Sequence, residues 1–390
     1  MRVDCREARL RRWFGLSMAV GLAACSAQTL DPGPGQGGLG GARAGTGGAP
    51  SGVGGSGAGG SSSAGGAPGT DGGSAAGGRT GAGGGTMGIG GSGTGGMMGI
   101  GGGGGAPPKF VGNISTRGSI RTGFATYWNQ FSPENEGKWG SVQPSQGTFN
   151  WAALDREYAY AQTNNIIFKE HNFIWGAQQP SWVNNTNAQT AVQAWMTAFC
   201  QRYPNTKLID VVNEPPPHTT PSYINGIGGT GASGYDWIAN AFKWARAACP
   251  NAILILNDFN NIELAGDNTR TITIVNAIKA AGAPIDAVGA QGHGVSRTAT
   301  ATVKGFIDKI TQQTGLPVYL TEYDINVADD NQQKTIMQDQ FTMFWNDPNV
   351  HGITIWGYIV GSTWETNSGL QQTDNTMRPA MSWLMGFLGR

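Results

Sequence analysis

KLIDVVNE (207–214), followed at once by Pro215-Pro216-Pro217, decides how the rest of the chain is read. It is mostly apolar and lacks regular polar alternation, the pattern of a parallel strand buried on both faces. It ends on a carboxylate. The three prolines forbid a regular helix beyond its first turn, which weakens the reading of Glu214 as a mere helix cap. PVYLTEYD (317–324) repeats the arrangement, with Glu322 closing PVYLT.

Working outward, similar runs occur at KFVGNI (109–114), NIIFKEHNFIW (165–175), NAILILND (251–258), DAVGAQGH (286–293) and GITIWGY (352–358), with a weaker one at GFATY (123–127). Helical patterns at 150–163, 187–203, 235–248, 267–281, 300–314, 331–346 and 379–388 separate or follow them; Asn187 can cap one and Gly315 can stop another. Eight strand-like runs with intervening helices have the size and rhythm of an α/β fold, the (β/α)8 TIM barrel. A doubly wound sheet is the rival, but no Gly-x-Gly-x-x-Gly follows the first strand.

Chemistry in such a barrel belongs at the C-terminal ends of the strands. Those ends carry Glu134-Asn135, His171, Trp175, Asn213-Glu214, Asn257-Asp258, Gln291, His293, Glu322, Asp324 and Trp356. Polar and aromatic groups therefore converge on one mouth.

Composition divides the chain. Of its 65 glycines, 38 fall in residues 31–108, where only Asp31, Arg43, Asp71 and Arg79 are charged. Such a stretch cannot recover the entropy of ordering and reads as a disordered linker over 25–108, with an r.m.s. reach of roughly 50 Å. Residues 109–390 hold 12 of the 13 tryptophans and form one catalytic domain. That domain has 18 basic and 21 acidic residues. It has no basic stripe, which argues against nucleic acid. Tryptophan faces suit sugar rings, and they equally fill a large core.

Residues 1–24 read as a signal peptide. Arg2, Arg6, Arg9, Arg11 and Arg12 precede an apolar stretch (13–24) shorter than the about 20 residues a membrane span needs. Leu22-Ala23-Ala24-Cys25 resembles the lipobox of bacterial lipoproteins. That resemblance implies cleavage before Cys25, lipidation of Cys25 and a membrane anchor at the bacterial outer surface; ordinary secretion is the alternative. Cys200 and Cys249 then remain in an oxidising compartment, where a disulfide is open to them if geometry allows. The four histidines show no metal spacing, no zinc site is expected, and no cofactor is implied.

Two carboxylates at strand ends in one mouth, with no metal and no nucleophilic Ser or Cys, suggest glycosidic-bond hydrolysis by an acid and a nucleophile. The domain resembles glycoside hydrolase family 10, the endo-1,4-β-xylanases, from about 110 to 388. The likeness rests on SPENEGKW (132–139), EHNFIWGAQQPSWV (170–183), DVVNEP (210–215), LNDFN (256–260), AQGHG (290–294), TEYDI (321–325) and ITIWG (353–357), in that order. It implies a retaining mechanism on xylan, with Glu214 as acid/base and Glu322 as nucleophile. It implies that Asn213 bonds the 2-hydroxyl of the reacting sugar, and that His171, Gln291 and His293 surround that sugar. Glu134, Asn135, Lys138 and Gln178 would grip the next sugar, and Trp175, Trp356 and Trp364 would form apolar walls. Asp324 would support His293 or the nucleophile loop. The protein would act as a monomer.

Three positions depart from the family pattern: Gly176 in place of a second histidine, Val360 in place of an acid, and Phe259 in place of a tyrosine. They bear on substrate preference, leaving two rivals open. One is another retaining β-1,4-glycanase acting on glucan or mannan; the other is a catalytically weak surface glycan-binding lipoprotein.

Overall fold

The computed structural model describes residues 107–390. The signal segment, Cys25 and the Gly-rich stretch up to residue 106 lie outside the described residues. Eight parallel strands close into a barrel in sequence order. They are β1 (Phe110–Ile114), β2 (Gln130–Ser132), β3 (Ile167–Ile174), β4 (Leu208–Asn213), β5 (Ile253–Asp258), β6 (Ala287–Ala290), β7 (Val318–Tyr323) and β8 (Val350–Ile355). Every residue of β1, β3, β4 and β7 is buried, which is why these runs lack polar alternation.

One expected strand is corrected. Phe124–Tyr127 is a helical turn that starts from Gly123 in the left-handed region, φ 81°. The strand that fills the gap is the three-residue β2, with Phe124 packed on its Phe131 at 5.1 Å between ring centroids. Helices Ala152–Thr163, Ala188–Arg202, Asp236–Ala248, Ala265–Ala280, Thr300–Thr314, Asp330–Asn346 and Pro379–Leu388 cover the barrel, within two residues of the expected bounds.

Asn187 stands at the start of its helix without bonding the helix's own N–H groups. Its amide instead accepts from Asn184 N and donates to Trp182 O. Gly315 ends Thr300–Thr314 at φ 70°.

The barrel interior is layered. At the N-terminal end, Phe110, Ile167, Leu208, Ile255, Ala287 and Tyr319 form an apolar plug. Above it the inward side chains are polar: Lys169 pairs with Asp210, and Thr354 donates to Gln130 Oε1 at 2.8 Å. Asn257 enters this layer because β6 offers only Gly289 opposite it; a Cβ there would lie 2.4 Å from Asn257 Oδ1.

The tryptophans divide between the core and the mouth of the barrel. Trp128, Trp195 and Trp237 are fully buried in the core, with Trp195 stacked between Trp139 and Trp151. Trp175, Trp356 and Trp364 line the mouth. Cys200 and Cys249 are joined in a disulfide, Cα atoms 5.5 Å apart, tying the ends of helices Ala188–Arg202 and Asp236–Ala248. The geometry left open by the sequence allows the bond.

Candidate active site

β4 delivers Asn213 and Glu214, and the chain turns sharply there: Glu214 has φ 52°, a left-handed conformation uncommon for a residue with a side chain. Its amide donates to Asn257 O at 2.9 Å, which fixes the turn against β5. The Glu214 carboxylate accepts on Oε2 from Thr219 Oγ1 at 2.7 Å and Trp175 Nε1 at 2.9 Å. On Oε1 it accepts from Gln291 Nε2 at 3.2 Å and Asn213 Nδ2 at 3.4 Å.

β7 delivers Glu322. Its Oε1 accepts from Asn257 Nδ2 at 2.8 Å, and its Oε2 from His293 Nε2 at 3.2 Å. The other ring nitrogen of His293 donates to Asp324 Oδ2 at 2.9 Å. Burial works against a charge on His293, but Asp324 and Glu322 outweigh it and push its pKa up to about 10. Burial likewise pushes Glu322 up. The nearby His171 and His293 rings, with the Lys169 ammonium, outweigh that and hold Glu322 down at about 2. Glu322 is therefore a carboxylate facing an imidazolium at neutral pH.

The two glutamates are joined by buried amides. Asn213 Oδ1 accepts from Asn257 Nδ2 at 2.8 Å and from Gln291 Nε2 at 3.3 Å, while those same nitrogens reach Glu322 and Glu214. The β4–β5 register sets Asn213 beside Asn257, which makes the link possible.

His171 is held in one orientation, Nδ1 donating to Asp210 Oδ2 at 2.9 Å and Nε2 accepting from Asn172 Nδ2 at 3.4 Å. Burial pushes its pKa down, consistent with a neutral ring bonded this way. Trp356, 5% exposed, packs edgewise on His171 with centroids 5.0 Å apart. Trp364 is 47% exposed; it packs on His293 at 4.7 Å and donates to Asp324 Oδ2 at 3.0 Å.

Asn135, Lys138, Trp175 and Gln178 gather on the β2–β3 side of the mouth. Lys138 Nζ and Gln178 Nε2 both donate to Asn135 Oδ1, at 3.1 and 3.3 Å, and the ammonium lies 4.7 Å above the Trp175 ring. Burial pushes the Lys138 pKa down, opposed by the surrounding glutamates. Glu134 is anchored by Arg117 N, and burial raises its pKa.

Sequence reasoning gave no role to Asn257 beyond its place at a strand end, and none to Lys169, Asp210, His218 or Thr219. A charge in the middle of LIDVV was a usable signal for Asp210. The departures also have physical settings. A Cβ at Gly176 would stand 2.7 Å from Thr220 C and O, so a larger side chain needs the β4 loop elsewhere. Phe259 stacks on His218 at 3.8 Å, and Val360 N donates to Gln371 O at 2.8 Å. Among the described residues no group of three or more His, Cys, Asp or Glu side chains is arranged to hold a metal ion.

A closed (β/α)8 barrel with one glutamate at the end of its fourth strand and another at the end of its seventh, linked by buried amides, is a carboxylate-pair barrel of the glycosidase type. Residues 108–385 match the profile of glycosyl hydrolase family 10, and the chain belongs to that family. It is 48% identical over 281 residues to endo-1,4-beta-xylanase B of Cellvibrio japonicus (strain Ueda107), covering 71% of this chain and 45% of that one. It is 30% identical over 264 residues to endo-1,4-beta-xylanase C of Phanerodontia chrysosporium, covering 62% and 63%. The chain thus spans about half to two-thirds of the length of these relatives. The fold is shared with native xylanase 10B from Thermotoga maritima, at TM-score 0.64 and 20% identity over 72% of this chain and 95% of that one.

Proposed function

We propose that the protein is an endo-1,4-β-xylanase that cuts internal β-1,4-xylosidic bonds of xylan by a retaining double displacement. Glu322 attacks the anomeric carbon while the leaving oxygen takes the proton of Glu214, giving a covalent glycosyl-enzyme and a departing chain. Glu214, now a carboxylate, takes a proton from water; the water oxygen attacks the same carbon and frees Glu322. The observation that carries this reading is the contrast between the two glutamates, Glu322 beside a histidine cation and Glu214 among neutral donors. The names of the two relatives support the substrate. Asn213, His171, Gln291 and His293 would contact the reacting sugar. Glu134, Asn135, Lys138 and Gln178 would hold the next one, between walls of Trp175, Trp356 and Trp364.

The test is release of new reducing ends from xylan, cellulose and mannan, with Glu322→Ala alongside. Release from xylan, lost in the variant, is expected. Release only from cellulose or mannan moves the substrate within the same mechanism. Silence on all three from a folded protein that still binds sugar would overturn catalysis altogether.

We infer also that residues 1–24 direct export, that Cys25 is acylated, and that the Gly-rich stretch tethers a monomeric catalytic domain to the bacterial outer surface. Two or more acyl chains anchor stably. Cys25→Ala is expected to release the protein from membranes; an unchanged membrane fraction removes the anchor.

A further inference from the structure

The segment after Glu214 is clamped from both sides. Within it, His218 N donates to Pro215 O at 3.2 Å and Thr219 N to Glu214 O at 3.0 Å. On the β5 side, His218 Nδ1 meets Asp258 Oδ1 at 2.7 Å and its Nε2 meets Asp267 Oδ1 at 3.3 Å, while the ring stacks on Phe259. On the β3 side, Gln179 Nε2 donates to Ser222 Oγ at 2.7 Å and Gln179 Oε1 accepts from Ser222 N at 2.9 Å. Between these clamps the backbone of Thr220 and Pro221 occupies the space that any side chain at 176 would need. Held there, Thr219 points its hydroxyl at Glu214 Oε2, at 2.7 Å.

We propose that Thr219 is a positioning residue for Glu214, set in place by a loop that only glycine at 176 admits. The inference rests on the reading of Glu214 as acid/base. A carboxyl in that role is protonated in the first half of the reaction and ionised in the second. Trp175 Nε1 can only donate, whereas a hydroxyl donates or accepts. Thr219 therefore bonds the carboxylate as a donor and can turn to accept when the proton is present. The two shorter bonds fall on Oε2 and the two longer ones on Oε1, so Oε2, the oxygen that Thr219 faces, is the more tightly held of the two. The loop thus fills the space that a side chain at 176 would need and brings the Thr219 hydroxyl to the acid/base.

The experiment compares Thr219→Val and Thr219→Ser in the full chain, on xylan and on an aryl xylobioside with a good leaving group. Thr219→Val is expected to lower kcat on xylan by about tenfold, the scale of one hydrogen bond to a charged group. It should also move the alkaline limb of the kcat/KM–pH profile upward, because the carboxylate loses a donor. Thr219→Ser should restore both. In a Glu214→Ala background, Thr219→Val should cost nothing further. Gly176→Ala, which displaces the loop without touching the hydroxyl, should move the same limb in the same direction. A limb unmoved in both Thr219→Val and Gly176→Ala overturns the proposal, as does a loss of the same size with Glu214 present or absent. If Glu214→Ala alone reduces turnover of both substrates equally, the acid/base reading has failed instead, and that outcome is legible without any Thr219 variant.

Discussion

The ends of β4 and β7 carry the same side chain in opposite company. Glu322 has a histidine cation on one oxygen and the Asn257 amide on the other. The hydrogen-bond donors to Glu214 are an indole, a hydroxyl and two amides, none of them charged. A neighbouring cation favours the ionised carboxylate throughout a reaction cycle, which suits a nucleophile. Neutral donors, one of which can also accept, suit a group that gives up a proton and takes it back. Environment, not residue type, divides the labour.

The contrast is broken most severely by removing Glu322, the proposed nucleophile. Glu322→Ala should lower turnover on every substrate by on the order of 10^5-fold or more, as loss of a covalent nucleophile does elsewhere. It should leave oligosaccharide binding measurable by calorimetry, and retained turnover would remove Glu322 from its role. Glu214→Ala should cost about 10^2- to 10^4-fold on xylan and far less on dinitrophenyl xylobioside, whose leaving group needs little protonation. Equal losses on the two would erase the distinction between the glutamates.

His293→Gln sharpens the comparison from the other side. On the proposed mechanism Glu322 attacks as a carboxylate, so its depressed pKa would extend activity toward low pH. Without the imidazolium that pKa rises, so the acid limb of the kcat/KM profile should move up by about 1–3 pH units. The same charge pairing adds stability that is present above the ordinary glutamate range and fades as pH falls toward about 2; the variant should lose it. A change remote from both strand ends is the smallest on catalysis. Cys200→Ser opens a disulfide spanning 49 residues; it should lower stability in urea melts by up to about 4 kcal/mol while leaving both pH limbs in place.

Most of the barrel was legible because strands buried on both faces are rich in apolar residues and lack the in–out alternation of a half-exposed strand, even where β3 and β4 carry the buried polar residues of the interior. β2 was not: three residues, Gln130–Ser132, are too few for a pattern. The nearby GFATY is apolar for another reason, with Phe124 pressing on Phe131, Tyr160 and Tyr358. Glu214 and Glu322 announced themselves as carboxylates closing apolar runs, the first with prolines behind it. Thr219 and His218 carried no such mark. His218 meets Asp258 from 40 positions away, and the value of Thr219 depends on a loop path that the sequence does not state. The cysteines were visible as a pair, but only their Cα separation of 5.5 Å decides that they bond.

The amides between the two glutamates have a consequence for tolerance to error. Asn213 presents its oxygen to two nitrogens, and those nitrogens, on Asn257 and Gln291, each continue to a carboxylate. Rotating the Asn257 amide by half a turn would aim an oxygen at Asn213 and Glu322 and turn its nitrogen toward the hydroxyl of Thr321, which now donates to Asn257 Oδ1. The row therefore has a reading direction. Asparagine and aspartate have nearly the same shape, so exchanging one atom at position 257 would leave the packing intact and scramble the polarity of the whole row. Spontaneous hydrolysis of a single side-chain amide, the ordinary chemistry of protein ageing, would be enough to do it.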